Sequence, residues 1–260
     1  MRQKIYHYTA LFATTVVLSA CGGGGGDDDT GAQADSAACF NAGFYRTGSQ
    51  INYTQSSRTN NAQTYEAVIF HRVVSQREEN GVSTMLVESN AGGAFGNTLY
   101  SIDKGALLYH GYGNLDTPLY SSKESLTPAR QSVIAMKEGQ ATTQNIVQTD
   151  EVLLKGIYLK QVANVAYTRI YMGRETISTP LGQFPACRFV TTTQTKSGSR
   201  DRPNPDSDTR TTAWVAAEGP YRGLKLKEEA IIRRYGNADN TESTDTVVTE
   251  IKQVTLFDLK

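Results

Sequence analysis

Along most of the chain apolar and polar residues alternate, and few stretches have helical period. In Leu224–Tyr235, Leu224, Leu226, Ala230 and Ile232 alternate with Lys225, Lys227, Glu229 and Ile231, so one face is mostly apolar and the other mostly charged. Such a period of two suits an antiparallel sheet with one wet face. The same pattern predicts strands over Gln50–Ser57, Thr64–Val74, Val82–Ser89, Thr98–Asp103, Ala106–Gly111, Val147–Leu154, Val165–Met172, Cys187–Lys196, Thr209–Ala217 and Thr246–Phe257. Turn-forming residues punctuate them at Glu79-Asn80-Gly81, Asn90-Ala91-Gly92-Gly93, Gly113-Asn114 and Gly236-Asn237-Ala238-Asp239-Asn240. The predicted fold class is all-β: an antiparallel meander of about 10–12 strands forming a strongly curved sheet or partial barrel, with one short helix near Pro128–Glu138. Ser197–Asp208 is too polar and proline-rich for a strand core and is predicted as an exposed hairpin loop. Gly48-Ser49-Gln50 and Gly139-Gln140 each follow an apolar segment and open a strand, which hints at two similar halves.

The first forty residues follow a different pattern. Arg2 and Lys4 precede an apolar stretch from Ile5 to Leu18, and small residues lead into Cys21. The stretch falls short of the roughly 20 residues a spanning helix needs, so it reads as a cleaved signal peptide. Leu18-Ser19-Ala20-Cys21 resembles the lipobox of bacterial lipoproteins, which implies lipidation of Cys21 and cleavage before it. In that group an Asp after the cysteine favours inner-membrane retention; Gly22 stands there instead, which implies the outer membrane. Five glycines and Asp27-Asp28-Asp29 follow, a flexible tether whose typical span is roughly 20–25 Å. The expected organisation is a signal peptide over 1–20, a lipidated tether over 21–38 and one β domain over 39–260, held in the periplasm or at the cell surface.

Composition narrows the partners. The 26 basic and 26 acidic residues balance, and loss of Arg2 and Lys4 leaves a slight acidic excess, so no basic face is expected to bind nucleic acid. Lipidation of Cys21 leaves Cys39 and Cys187 of the three cysteines. An even pair in an oxidising compartment reads as a disulfide, with two separate buried thiols as the alternative.

Candidate chemistry is sparse. The chain has no G-x-S-x-G, P-loop, H-E-x-x-H or C-x-x-C motif. His71 and His110 lie in predicted strands without a carboxylate, cysteine or histidine at ligand spacing, and are expected to be ordinary strand residues. Asn204, Asp206 and Asp208 alternate like the first ligands of a calcium loop, but Val215 stands where the distal glutamate belongs, which favours a solvated loop. Tyr109-His110-Gly111-Tyr112-Gly113 concentrates aromatics that either line a cleft or pack on the sheet. Trp214 is expected to anchor the core. No catalytic residue, metal site or cofactor is predicted.

The run Gly173-Arg174-Glu175-Thr176-Ile177-Ser178-Thr179-Pro180-Leu181-Gly182-Gln183-Phe184-Pro185-Ala186-Cys187 resembles a pattern of uncharacterised periplasmic and lipoprotein β domains of a TapB-like kind. The segment of Trp214 and Gly219–Lys225 resembles the same group, with a longer spacing between its glycines. The resemblance covers about residues 165–235 and implies a curved antiparallel sheet or partial barrel, without lending a reaction. By itself, Pro180-x-Gly182 predicts a tight turn between two strands. The expected function is a membrane-anchored envelope lipoprotein with a non-enzymatic β domain for partner binding or surface support. The alternative is a carrier for a lipid or other apolar ligand, with Leu107-Leu108-Tyr109 and Ile157-Tyr158-Leu159 as cavity walls. Perturbed carboxylates around His71 or His110 would instead favour an enzyme.

Overall fold

The structure is a computed structural model that describes residues 35–60, 62–79, 82–90, 96–114, 120–197, 205–235 and 242–260. The signal peptide, Cys21, the tether up to residue 34 and Asn204 lie outside the described residues, as do most of the predicted 197–208 loop and several of the predicted turns. In chain order the strands are β1 (Gln50–Thr59), β2 (Tyr65–Glu79), β3 (Val82–Ser89), β4 (Gly96–Asp103), β5 (Ala106–Asn114) and β6 (Tyr120–Val133). They continue as β7 (Ala141–Leu154), β8 (Ile157–Thr179), β9 (Gly182–Ser197), β10 (Ser207–Ala216), β11 (Lys225–Tyr235) and β12 (Glu242–Asp258). Every strand pairs antiparallel with its sequence neighbours, and β12 returns to β1, so the curved sheet closes completely into a barrel. Closure leaves no sheet edge unpaired.

One predicted element changes type. Pro128–Glu138 is not a helix, because Tyr120–Val133 is strand β6, which the alternation did not reveal. Ser122, Glu124 and Arg130 on its inner face break the apolar phase, and Ala129-Arg130-Gln131 reads as helix-forming by propensity. Pro128 is tolerated where the ladder to β5 skips from Tyr109↔Arg130 to Gly111↔Ser125. The ladder to β7 stops at Thr127↔Val147. Beyond it the Gln144 side chain takes over, accepting from Gln131 N–H at 2.7 Å and donating to the Ala129 carbonyl at 3.3 Å.

Two short 3-10 turns, Ser36–Cys39 and Ala42–Tyr45, plug the end of the barrel where the described chain enters. Asp35 and Asn41 cap them, each accepting a backbone N–H two residues on. Ser36 ties the plug to the β6–β7 connection through Met136 and Ile134, while Arg222 reaches the carbonyls of Ala38 and Phe40. Cys39 and Cys187 form the predicted disulfide, stapling the plug to β9 across 148 residues of chain. A loop of that size corresponds to about 4–5 kcal/mol in the chain-entropy picture. Phe40, Phe44, Met136, Tyr171, Val215 and Leu226 fill the plugged half as one apolar core.

The two glycine segments with similar sequence context hold equivalent places. Gly48 N–H donates to Val73, whose N–H donates to Ser49; Gly139 and Gln140 make the same pair of bonds with Tyr171. One pair opens β1 and the other β7, six strands apart in the twelve-strand barrel. The tight turn at Pro180-Leu181 joins β8 to β9 as predicted.

Candidate functional site

The ends at which β1 meets β2, β3 meets β4, β5 meets β6, β7 meets β8, β9 meets β10 and β11 meets β12 all lie opposite the plug. On that half several inward positions of β1, β2, β10 and β11 are polar or small and stay partly exposed: Gln55, Ala67, Thr211, Ala230 and Ile232 among them. Core packing therefore stops partway up those strands, whereas Ser122, Gln148, Ala163, Val165 and Thr193 stay buried along β6–β9. The β7–β8 hairpin rises past the described part of β9, which joins β8 from Ala163 onward, while β6 accompanies it to Tyr120↔Leu154. Ile157 and Leu159, on the phase of β8 that faces inward, are 63% and 53% exposed there. An apolar strip of Leu126, Ile146 and Val165 continues below them.

Deeper along the same wall sits a polar group. Arg130 lies over the Tyr109 ring at 4.4 Å and near the Tyr167 ring at 5.6 Å. The Tyr109 hydroxyl donates to Glu124 at 2.7 Å. Burial pushes the Glu124 carboxyl up, against the Tyr109 hydrogen bond and the Arg130 charge that pull it down. Asp150, opposite Glu124 in the β6–β7 register, is also raised by burial. Arg169 follows Tyr167 by two positions and is 1% exposed, its guanidinium 4.1 Å above the Phe189 ring. None of its three nitrogens makes a hydrogen bond of good geometry, and the Thr142 hydroxyl on the paired position of β7 is buried without a partner as well. Burial lowers the Arg169 pKa from its ordinary value, the Arg130 charge adds to this, and Tyr167 and Tyr45 oppose it.

Of the two described histidines, His110 directly follows Tyr109 on β5, and His71 lies on β2. His71 meets the Tyr53 hydroxyl at 3.4 Å. Burial, then the Lys225 ammonium, holds its pKa at about 4, so it is neutral at physiological pH. Lys225 is paired with Glu228 at 2.6 Å. His110 bonds Ser101 at 2.8 Å. The raised carboxylate of Glu124 belongs to the Tyr109–Arg130 group.

Other predicted positions have structural duties. Leu107 belongs to the plugged core, while Tyr109 faces the interior and bonds Glu124. Tyr112 is 38% exposed. Tyr158 bonds Glu151 on the outer wall. Asp206 accepts from the Ser197 N–H and Asp208 from the Tyr235 hydroxyl, closing the β9–β11 rim. Among the described residues no group of His, Cys, Asp or Glu is arranged to hold a metal. Trp214 is buried, at 9% exposure, but stands outside the main core cluster. It lies on the outer wall between Arg188 and Lys227, donates to Glu175, and is covered by the Lys227 ammonium 5.1 Å from its ring. Its neighbours Ala213 and Val215 take the inward phase, which leaves the indole outside. The outer wall also carries the pairs Arg72–Glu88, Lys160–Glu151, Arg188–Glu175 and Lys227–Glu229, where a membrane-spanning barrel needs a continuous apolar belt.

No protein-family model matches the sequence, and no curated protein matches it. Three solved structures resemble the chain at low similarity. A candidate exported protein with a YmcC-like fold from Bacteroides fragilis aligns with a TM-score of 0.45 at 13% identity, covering 81% of this chain and 97% of that one. A candidate lipoprotein from Parabacteroides distasonis gives 0.38 at 11% identity over 82% and 98% of the two chains. The hypothetical lipoprotein YmcC from Escherichia coli gives 0.36 at 15% identity over 84% and 89%. At these values neither activity nor site residues carry over.

Proposed function

We propose that this is a lipid-anchored binding protein of the bacterial envelope: a non-enzymatic barrel tied to the outer membrane through Cys21 and taking its ligand at the end away from the tether. The observation that carries this reading is the polarity of the barrel. The first described residue, Asp35, enters at the plugged end, so an anchor at Cys21 joins the barrel from that end. The open end then faces the aqueous space. A non-enzymatic role is favoured because His71 and His110 bond Tyr53 and Ser101, and Glu124 is engaged by the Tyr109 hydroxyl. The resemblance of residues 165–235 to envelope β domains agrees with the same class.

Two measurements test it. Cells expressing the protein and fed labelled fatty acid should label it, and Cys21→Ser should abolish the label; label persisting in that variant contradicts the anchor. Native mass spectrometry of the full Cys21→Ser chain, purified without detergent, should show a mass above the polypeptide that solvent extraction removes. The bare polypeptide mass, together with no uptake of a fluorescent fatty acid, would leave a scaffold for protein partners instead of a carrier.

A further inference from the structure

Arg169 is the costliest side chain in the described barrel to leave as it stands. A guanidinium stays protonated in proteins and carries five donors, and burying it without well-formed partners is strongly unfavourable. Here all three nitrogens are sealed from solvent and none makes a hydrogen bond of good geometry; the Tyr167 side chain and the Phe189 ring are the partners beside them, and the neighbouring Thr142 hydroxyl is buried unpaired. Folding alone is better served by an apolar residue at this position, and the inward neighbours Val165, Tyr167 and Tyr171 show what the wall otherwise uses.

Three surrounding features point to what the cation is kept for. A second guanidinium, Arg130, reaches into the same interior and is only partly buried, stacked on the Tyr167 ring that precedes Arg169 on the inner face. The β6–β7 ladder ends just there, and the wall is spliced by the Gln144 side chain, so the seam beside Arg130 is held by fewer backbone bonds than the rest. From this point toward the open end runs the strip of Leu126, Ile146 and Val165, ending under Ile157 and Leu159 on the rim. Arg169 to Ala163 spans roughly 20 Å of strand, a length that fits an extended acyl chain. Glu124 and Asp150, the carboxylates nearest this path, lie closer to the mouth, and Glu124 is occupied by the Tyr109 hydroxyl.

We propose that Arg169, with Arg130 and the Thr142 hydroxyl, is the head-group site for an anion bearing a single apolar chain, the chain lying along Leu126, Ile146 and Val165 toward the open end. The inference rests on the binding reading above and names the ligand class. A carboxylate or phosphate monoester accepts bidentate hydrogen bonds from a guanidinium and supplies the well-formed acceptors Arg169 lacks. Because Arg169 is closed off in the free barrel, the anion first meets Arg130, and the Tyr167 side chain must swing for it to reach Arg169.

The test is calorimetric titration of the full Cys21→Ser chain with dodecanoate, dodecyl phosphate, dodecanol and inorganic phosphate, below micellar concentrations. Both anionic amphiphiles should bind at least about tenfold tighter than dodecanol, and inorganic phosphate should not displace them. Arg169→Met should lose about tenfold or more in affinity for the anions, leave dodecanol binding unchanged, and melt no lower than the parent; Arg130→Met should weaken the anions as well. Arg188→Met on the outer wall should change nothing. Equal binding of dodecanol and dodecanoate, or an unaltered affinity in a folded Arg169→Met, overturns the anion site while leaving an apolar carrier. Displacement by inorganic phosphate alone overturns the apolar-chain half. Binding of none of the four overturns both this site and the carrier reading.

Discussion

Leu226 and Ile232 occupy inward positions of the same strand, six residues apart, yet Leu226 is wholly buried and Ile232 is partly open. Below, β11 faces the plug, the disulfide and the aromatic contacts of Phe44 and Tyr221 with Phe257. Above, it faces Thr209, Thr211 and Val247. Side chains large enough to meet across the barrel fill one half, and small or polar ones leave the other half short of closure. One sheet thus supplies both a stable base and an accessible mouth, because the inserted plug and the larger inner-face side chains fill only one half.

The sharpest way to break this contrast is to truncate both residues. Leu226→Ala should destabilise by about 2–5 kcal/mol, since the packed half cannot collapse around the void, whereas Ile232→Ala should cost about 1 kcal/mol or less. Denaturant unfolding of the two variants measures the difference. Equal costs would mean that the upper half is packed as well as the lower.

A smaller effect comes from acid. His71, on the packed half, has a folded pKa of about 4 against 6.5 for an ordinary histidine. The unfolded chain therefore takes up a proton first, so the stability His71 contributes is present above about pH 6.5 and is lost as pH falls toward 4, by about 1–3 kcal/mol. The groups facing it are Tyr53, Lys225 and Glu228, of which Lys225 adds to the shift. Melting His71→Gln at pH 7 and pH 5 should show a shallower loss than the parent. Toward the mouth the sign reverses. Glu124 and Asp150 are raised above ordinary carboxylates, so they cost stability at neutral pH, and that cost shrinks as pH falls. Glu124→Gln should accordingly melt slightly higher than the parent at pH 7 and gain less at low pH.

Much of the barrel was legible because one wet and one dry face impose a period of two, which eleven of the twelve strands display. β6 escaped because Ser122, Glu124 and Arg130 stand on its inner phase, and Pro128 obscured the rest. Cys39 and Cys187 were readable from cysteine arithmetic. The interior arginine was not, although its signal was present: in Val165-Ala166-Tyr167-Thr168-Arg169-Ile170-Tyr171 the charge falls on the apolar phase. Trp214 misled for the complementary reason. Its size suggests a core anchor, yet its phase places it outside, where Lys227 and Arg188 cover it. At both positions the phase of the alternation carried more information than residue type.

Cysteine accessibility measures the difference between the two halves most directly. Ile232→Cys and Ala67→Cys place a thiol on the inner face of the upper half, and Met85→Cys and Ile69→Cys place one in the packed core. With the native disulfide intact, a hydrophilic maleimide should modify the first pair readily in the folded protein and the second pair only after denaturant is added. Equal protection of all four would show a barrel filled from end to end, and equal reactivity would show that the plug does not seal its own half.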